Sequence, residues 1–422
     1  MDNSPVIPKQ DGRTIIEVNR TIDTAGALIP TPARLRIRRP EDFPADLRVY
    51  VDVARRLASP LLSGPPLCDE LVAFVQHLLT EEEASVMRHL RPMWGRRAEA
   101  VARAAHRPVD EVEPVLKRLA DVKRCIGAAG DGHARKYQLM PLMPGIFEMV
   151  LIGVAPEAFN AWHQRFIELF EALYSSGFLR DYQGTQPAVR FLPQAAVAGV
   201  QPTAMPASHF EAVAERFKTF AVGQCQCRMA MNAMGKGCGR ALGNCTLLGT
   251  WAEKAIKGGW VRQVSRSEIL EIKREAEASG LVSWVLNVDS RDGQASCSCC
   301  GCCCHAMKMI NDFNIPGWFA PPRLRPRFDE VRCTGCGACA RRCPMRALVM
   351  QGTGKRPAYL RERCVGCGLC ALACPKKGVE MREVAYQRLP FANWPSMMAR
   401  SLPAQLRVAW RVWRKRARET RE

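Results

Sequence analysis

The sequence lacks the features that mark secreted and membrane-spanning proteins. Its first residues contain no basic stretch followed by an apolar one, so we do not expect a secretory leader. The best candidate for a membrane span, residues 139–156, is interrupted by Pro141, Pro144 and Glu148. These absences favour a cytoplasmic protein, and leave open a peripheral association with the cytoplasmic face of a membrane.

The sequence also lacks the motifs of nucleotide-dependent enzymes. The glycines around Gly235 and Gly237 do not form the GxxxxGK[ST] string of a phosphate loop, and no flavin or nicotinamide fingerprint occurs. No nucleophile can be paired with a base on the sequence alone. The sequence therefore assigns no catalytic residue and leaves open whether the protein is an enzyme.

Acidic residues are scarce relative to basic ones. The 422 residues include 61 Lys and Arg but only 41 Asp and Glu, a formal charge of +20. This excess favours an anionic partner, such as an acidic protein, an anionic membrane surface or nucleic acid. The length is too great for one hydrophobic core and predicts two to four domains.

Cysteine, by contrast, is abundant, with 20 in the chain. Without a leader, so many cysteines indicate metal binding rather than a disulfide framework. Two runs repeat one spacing, in which three cysteines recur every third residue and a fourth follows four residues later with proline behind it. The runs are Cys333, Cys336, Cys339 and Cys343-Pro344, and then Cys364, Cys367, Cys370 and Cys374-Pro375.

This spacing predicts two iron–sulfur clusters. Three thiolates at this spacing are poorly placed to bind one zinc ion together, but each can bind one of three irons of a cubane. The fourth cysteine of each run normally reaches across to the other cluster. The alternative is a zinc ribbon or a reduced thiol cluster. We predict one [4Fe–4S] cluster held by Cys333, Cys336, Cys339 and Cys374, and a second held by Cys364, Cys367, Cys370 and Cys343.

Residues 327–381 resemble a bacterial two-cluster ferredoxin domain. The resemblance implies one-electron transfer at low potential between two neighbouring clusters, and it implies no substrate. Basic residues beside the clusters would raise their potentials and provide a docking face for an acidic redox partner. These residues are Arg341, Arg342, Arg346, Lys376 and Lys377.

A second group of cysteines lies in the middle of the chain. Six fall within eight residues, which would be a liability unless a metal were bound. Cys299-Cys300-Gly301 resembles the cysteine-rich motif of heterodisulfide-reductase-type subunits. We predict at least one further iron–sulfur cluster here, with zinc or a regulatory thiol site as alternatives. The candidate ligands are Cys225, Cys227, Cys238, Cys245, Cys297, Cys299, Cys300, Cys302, Cys303 and Cys304.

The region before these cysteines predicts helices. Residues 98–105 and 109–119 indicate a helix-turn-helix, and residues 126–139 a hairpin, so this part resembles a winged-helix domain. The second helix opens with Asp110 and Glu111, where a DNA-reading helix needs basic or amide side chains. Nucleic acid is therefore disfavoured, and we expect a structural or protein-docking role.

The last segment is basic and amphipathic. Leu406, Trp410 and Trp413 share a predicted helical face, with arginines around it. Such a helix suits a membrane interface or an acidic partner, and the alternative is packing against its own domain.

Together these patterns predict an α+β, multi-domain chain, similar to a broad group of multi-domain bacterial 4Fe–4S binding proteins. Its expected function is the relay of single electrons to a partner oxidoreductase, as a component rather than a stand-alone enzyme. The alternatives are a redox- or iron-sensing regulator with a winged-helix output, and a reductase whose centre is Cys297–Cys304. The predicted parts are an extended arm (1–60), a winged-helix-like domain (61–155), a helical, cysteine-rich metal-binding domain (156–312), a dicluster ferredoxin-like domain (322–382) and a basic amphipathic tail (383–422).

Overall fold

The computed structural model describes residues 6–8, 14–16, 35–92, 94–185, 187–198, 210–315, 318–351, 356–384 and 389–419. It mixes helices with antiparallel sheets, consistent with the predicted α+β class. The chain divides into two compact units. The first unit contains residues 1–182, 233–235 and 405–422, and the second contains residues 183–232 and 236–404.

The first unit is mainly helical. Its helices are α1 (Arg48–Leu57), α2 (Asp69–Leu78), α3 (Glu81–Met87), α4 (Ala98–Ala105), α5 (Val109–Lys117), α6 (Phe147–Leu151) and α7 (Ala161–Ser175). The strands β1 (Val6–Pro8) and β2 (Thr14–Ile16) pair with each other. A second sheet has the order β3 (Arg96–Arg97), β5 (Lys136–Leu139), β4 (Ile126–Ala129).

Helix α1 lies inside the stretch predicted as an extended arm. Its buried residues include Tyr50, Val53, Ala54 and Leu57, which recur at helical spacing on one face. Much of the arm before residue 35 lies outside the described residues. The prediction of an extended arm up to residue 60 is therefore wrong for residues 48–57, which form a helix with one buried apolar face.

The helix-turn-helix and the hairpin occur where the sequence predicts them. Helices α4 and α5 are separated by three residues, and β4 pairs antiparallel with β5. The short strand β3 pairs with β5 on its other side. Membership of the winged-helix class remains a prediction.

A buried carboxylate stabilises this first unit. Glu83, only 1% exposed, accepts hydrogen bonds from Lys123, from Arg118 (3.1 Å to Nε) and from the backbone N–H of Thr80. Burial alone would raise the pKa of Glu83, but the hydrogen bonds from Lys123 and Thr80 and the charge of Lys123 hold that pKa below its ordinary value.

Replacing Glu83 with glutamine is expected to lower the free energy of unfolding by about 2 kcal/mol, because charge-assisted hydrogen bonds are lost. The pKa of Glu83 is depressed in the folded state. Its contribution is therefore present above the unfolded pKa and is lost as the pH falls through the lower folded pKa. Denaturant unfolding at pH 7 and in this acidic window checks both points. Glu81→Gln, an exposed change in the same helical turn, is the control; an equal loss in both variants would contradict the assignment.

The second unit is built on a six-stranded antiparallel sheet. The strand order is β6 (Val189–Phe191), β10 (Val282–Leu286), β11 (Gly293–Cys299), β8 (Cys245–Gly249), β7 (Phe220–Gly223), β9 (Arg262–Val264). The prediction of a helical, cysteine-rich domain between residues 156 and 312 did not include this sheet, because its strands are short and most are separated by helices. Those helices are α8 (Ala195–Ala198), α9 (Phe210–Ala214), α10 (Gln226–Ala233), α11 (Thr250–Lys257), α12 (Arg266–Ala278) and α13 (His305–Asn311).

The rest of the second unit contains two further two-stranded sheets. Strand β12 (Leu324–Phe328) pairs with β15 (Val379–Glu383), and β13 (Leu348–Gln351) pairs with β14 (Arg356–Tyr359). Two short helices, α14 (Ala338–Arg342) and α15 (Leu369–Leu372), lie between them in the chain. The last helix, α16 (Trp394–Glu419), continues into the tail. No helix in the described ranges is both long enough and apolar enough to span a bilayer.

Candidate metal centres

The two cysteine runs fold as an internal repeat. In each run, a glycine in the left-handed conformation starts a short helix: Gly337 (φ +73°) precedes α14 and Gly368 (φ +83°) precedes α15. A side chain other than glycine rarely adopts this conformation. The third cysteine of each run, Cys339 or Cys370, lies within the helix.

Two cavities lie between the halves of this repeat. The first is lined by Cys333, Cys336, Cys339 and Cys374. The second is lined by Cys343, Cys364, Cys367 and Cys370. The fourth cysteine of each run therefore lies with the first three cysteines of the other run.

Equivalent hydrogen bonds reach the two exchanged cysteines. The backbone N–H of Ala347 donates to Cys343 Sγ at 3.3 Å, and that of Gly378 donates to Cys374 Sγ at 3.2 Å. In each case the donor is four residues after the acceptor. An N–H aimed at sulfur favours the thiolate, which is the form that binds iron.

A family model described as "4Fe-4S dicluster domain" matches residues 332–378. The chain carries an iron–sulfur dicluster domain. The match covers only this part of the chain, and comparisons with curated proteins and with solved structures find no match. The two cavities of the dicluster domain are called the first and the second cluster site below.

The two cluster sites differ in their exposure. In the first, Cys336 is exposed, and hydrogen bonding from the backbone of Ala338 lowers the pKa of its thiol. In the second, Cys367 and Cys370 are buried, and burial raises the pKa of Cys370 to about 12. The first site is therefore the one nearer to solvent.

The central cysteines come together at one end of the six-stranded sheet. The antiparallel register pairs Ser296 of β11 with Thr246 of β8, which sets Cys297 beside Cys245. Cys225 and Cys227 lie at the start of α10, and residues 300–304 form the turn between β11 and α13. Strand pairing thus joins cysteines that are far apart in the sequence.

Four of these cysteines form a compact group, the outer set. All four sulfur atoms lie within 4.8 Å of one another, with 3.9 Å between Cys238 and Cys300 and 3.7 Å between Cys302 and Cys303. Arg240 Nη1 lies 4.0 Å from Cys302 Sγ. The outer set is Cys238, Cys300, Cys302 and Cys303.

The other six central cysteines form the inner set: Cys225, Cys227, Cys245, Cys297, Cys299 and Cys304. Four of them are buried and two are partly buried. Five of them interact as neighbours: Cys297 lies beside Cys245 and Cys299, and Cys304 lies beside Cys227 and Cys299. Cys225 also lies near Cys297 and Cys304; burial and the charges of these two cysteines raise the pKa of its thiol.

The inner set is surrounded by hydrogen-bond donors. The indole Nε1 of Trp284 donates to Cys299 Sγ at 3.1 Å. Backbone N–H groups of Arg228, His305 and Met307 donate to Cys225, Cys227 and Cys304 in that order, and the Gln226 side chain donates to Cys245. Donors of this kind stabilise thiolates and tune iron–sulfur centres.

Two buried cations face the central cysteines. Arg228 is 1% exposed and donates to the carbonyl oxygen of Ser298 (3.0 Å) and to Asn244 Oδ1. Lys273 is 3% exposed and donates to the hydroxyls of Ser296 (2.9 Å) and Ser298 (3.1 Å). Among the described residues, neither cation forms an ion pair with a carboxylate. Since buried charges need compensation, the nearby sulfurs are a source of negative charge for both cations, and Glu277 also acts on Lys273.

The pKa values of the two cations respond to these sulfurs. Burial would lower the pKa of Arg228, but the charges of Cys225, Cys300 and Cys299 raise it above its ordinary value. Burial lowers the pKa of Lys273 to about 8, although Cys297 and Cys245 act in the opposite direction. The donor set therefore fits an anionic metal centre.

The inner set packs against the second cluster site. One hydrophobic cluster contains Cys299 and Cys304 together with Cys367, and Cys297, Cys343 and Cys364 pack against it. Asn311 Nδ2 donates to the carbonyl oxygens of Gly301 (3.2 Å) and Pro344 (2.9 Å), and so links the central turn to the residue after Cys343.

The sequence alone does not identify Arg228 and Lys273 as part of the central site. Arg228 directly follows the Cys225-x-Cys227 pair, and its position beside two candidate ligands could have indicated a role in balancing their charge. Lys273 gives no such signal, because it is one of 61 basic residues and lies on a helix remote in sequence from the cysteines.

Proposed function

We propose that the protein is an iron–sulfur electron-transfer protein that relays single electrons through the dicluster domain and a central cluster to a partner oxidoreductase. The observation that carries the proposal is the shared packing of the inner set and the second cluster site. Iron–sulfur clusters supply one-electron chemistry, with potentials set by burial, charge and hydrogen bonds to sulfur. The chain would then act as a component of an oxidoreductase system.

In this proposal the exchanged cysteines complete the two cluster sites. Cys374 joins Cys333, Cys336 and Cys339 as ligands of one [4Fe–4S] cluster, and Cys343 joins Cys364, Cys367 and Cys370 as ligands of the other. The lining of the two cavities supports this grouping. Their left-handed glycines and N–H donors are suited to backbone that passes close to a cluster.

The inner set is proposed to hold the central cluster. A [4Fe–4S] cluster needs four thiolates, which the six sulfurs of the inner set can supply. The five N–H donors and the cations Arg228 and Lys273 support an anionic centre at this place.

The test is the iron and acid-labile sulfide content of anaerobically purified protein, together with its EPR spectrum. We expect at least about twelve irons per chain, falling to about eight in the double variant Cys245→Ser/Cys297→Ser. A wild-type content of about eight irons would remove the central cluster from the proposal and leave the dicluster domain as the sole redox unit.

The partner is proposed to be a protein with an acidic surface. The first cluster site is the more exposed one, and the exposed side chains of Arg341, Arg342, Arg346, Lys376 and Lys377 belong to the same domain. Complementary charge accelerates encounter between redox partners and loses this effect as salt increases.

Reversing two of these charges, in Lys376→Glu/Lys377→Glu, is expected to slow reduction by an acidic carrier protein about tenfold at low ionic strength. Stopped-flow absorbance of the clusters measures the rate. The matched control is Lys254→Glu/Lys257→Glu, which makes the same charge change on α11, outside the dicluster domain. Equal slowing in both variants would show that net charge, not a docking face, controls the rate.

The winged-helix-like region is proposed to have a structural or docking role rather than to read DNA. Asp110 and Glu111 are exposed at the start of α5, where they would repel phosphates. Arg107 pairs with Glu111 at 3.1 Å and Lys117 with Glu113 at 2.8 Å, so nearby cations are already neutralised. A salt-sensitive gel shift of duplex DNA in any redox state would contradict this role.

Helix α16 is proposed to place the protein on an anionic membrane surface. Arg416 anchors one side of the helix through the carbonyl oxygens of Ala58 and Gly64. Trp410 and Trp413 are 58% and 61% exposed among arginines. We expect Trp410→Ala/Trp413→Ala to reduce co-sedimentation with vesicles containing phosphatidylserine at least fivefold. Trp94→Ala, which removes another exposed tryptophan, is the control, and undiminished binding by the double variant would refute the proposal.

A further inference from the structure

The sulfur atoms of the outer set lie at the spacing of a single tetrahedral ion. Zinc binds thiolate sulfur at about 2.3 Å, which gives about 3.8 Å between the sulfurs of a regular tetrahedron. Two sulfur–sulfur distances in the outer set, 3.9 Å between Cys238 and Cys300 and 3.7 Å between Cys302 and Cys303, match that edge. Both are far longer than the about 2.05 Å of a disulfide.

The dicluster domain provides an internal comparison. In a cubane each thiolate binds a different iron, so the four sulfurs are held farther apart than around one ion. In the described part of the chain, the outer set has all four sulfurs within 4.8 Å of one another, whereas neither cluster site of the dicluster domain does. The spacing therefore separates the outer set from the cubane sites of the same chain.

The charges around the outer set also suit a single divalent ion. Four thiolates and one zinc ion sum to −2. Arg240, whose Nη1 lies 4.0 Å from Cys302 Sγ, and the buried Arg228, which interacts electrostatically with Cys300, lie beside these sulfurs. Cations next to the ligands offset this negative charge.

We infer that Cys238, Cys300, Cys302 and Cys303 form a tetrathiolate zinc site, distinct from any iron–sulfur cluster. Four protein ligands leave no open coordination position, which is typical of structural zinc. The ion joins the loop that carries Cys238 to the turn of residues 300–304. The same turn supplies Cys299 and Cys304 to the inner set, so zinc would fix the position of those two sulfurs.

This inference does not require iron in the inner set. The zinc site is tested by the zinc content and the central cluster by the iron content, so either proposal can be refuted without the other. A chain with one zinc and only about eight irons would support the zinc site while refuting the central cluster.

The experiment measures zinc and iron per chain in the full-length protein purified anaerobically, and zinc X-ray absorption on the same sample. We expect about one zinc per chain, with a shell of four sulfurs at about 2.3 Å. In Cys238→Ser and, separately, in the exposed Cys302→Ser, we expect zinc to fall at least tenfold while the iron content stays at its wild-type value. Retained dicluster iron shows that these variants still fold.

The control variant is Cys245→Ser, which changes the inner set and is expected to keep its zinc. Absence of zinc from the wild-type protein would overturn the inference, as would retention of zinc in Cys238→Ser. Loss of about four irons from Cys238→Ser would instead assign the outer set to an iron–sulfur cluster and also overturn it.

Discussion

Changing Cys336 and Cys374 together to alanine is expected to leave one complete cluster in the dicluster domain, whereas changing Cys336 and Cys343 is expected to remove both. The two double variants delete the same number of cysteines. They differ only in whether Cys374 or Cys343 is lost together with Cys336. About four irons should remain in the domain of the first variant and almost none in that of the second.

The reason lies in the exchanged positions of the fourth cysteines. Cys336 and Cys374 line the same cavity, so losing both damages a single site. Cys343 lines the other cavity, with Cys364, Cys367 and Cys370. Losing Cys336 and Cys343 therefore damages both sites at once.

Iron and sulfide analysis, with EPR of the reduced protein, distinguishes the outcomes. Cys68→Ala/Cys125→Ala is a control for the number of cysteines removed, since both thiols are buried in the first unit, outside the cysteine sets described above. If each run instead bound its own cluster, the two double variants would exchange their results. That exchange would refute the crossed grouping.

The local parts of this fold could be predicted from the sequence, and the long-range parts could not. The two cluster sites could be predicted because the spacing of their cysteine ligands is local in sequence. Helices α4 and α5 likewise follow from apolar spacing and a short turn. The six-stranded sheet depends on pairings such as β6 with β10, nearly a hundred residues apart, which no local pattern specifies.

The same distinction applies to the central cysteines. The sequence identified all ten as candidate ligands but could not divide them. Cys299 and Cys300 are neighbours in the chain, yet one belongs to the inner set and the other to the outer set. That division follows from the alternation of side chains at the end of β11 and from the loop that brings in Cys238.

Replacing Arg228 with methionine is expected to have the largest effect on the central site. The guanidinium is buried and no carboxylate in the described residues pairs with it, so its charge is balanced by sulfur. Removing it would leave anionic sulfur uncompensated in a buried place. We expect the free energy of unfolding to fall by about 3–5 kcal/mol, and the central metal to be lost.

The sign of this effect tests the state of the cysteines. If they were neutral thiols, Arg228 would be an uncompensated buried cation, and replacing it with methionine would stabilise the protein. If they are thiolates bound to metal, the same change destabilises it. Anaerobic denaturant unfolding, with iron and zinc contents measured on the same samples, separates the two cases.

Arg228→Lys is the matched control, because it keeps the charge but loses the fork of donors that reaches Ser298 and Asn244 together. It should retain most of the metal and recover a large part of the lost stability. If lysine and methionine were equally damaging, the hydrogen bonds of the guanidinium, not its charge, would hold the site together. If the methionine variant were more stable than the wild type, the central cysteines would not be an anionic metal centre.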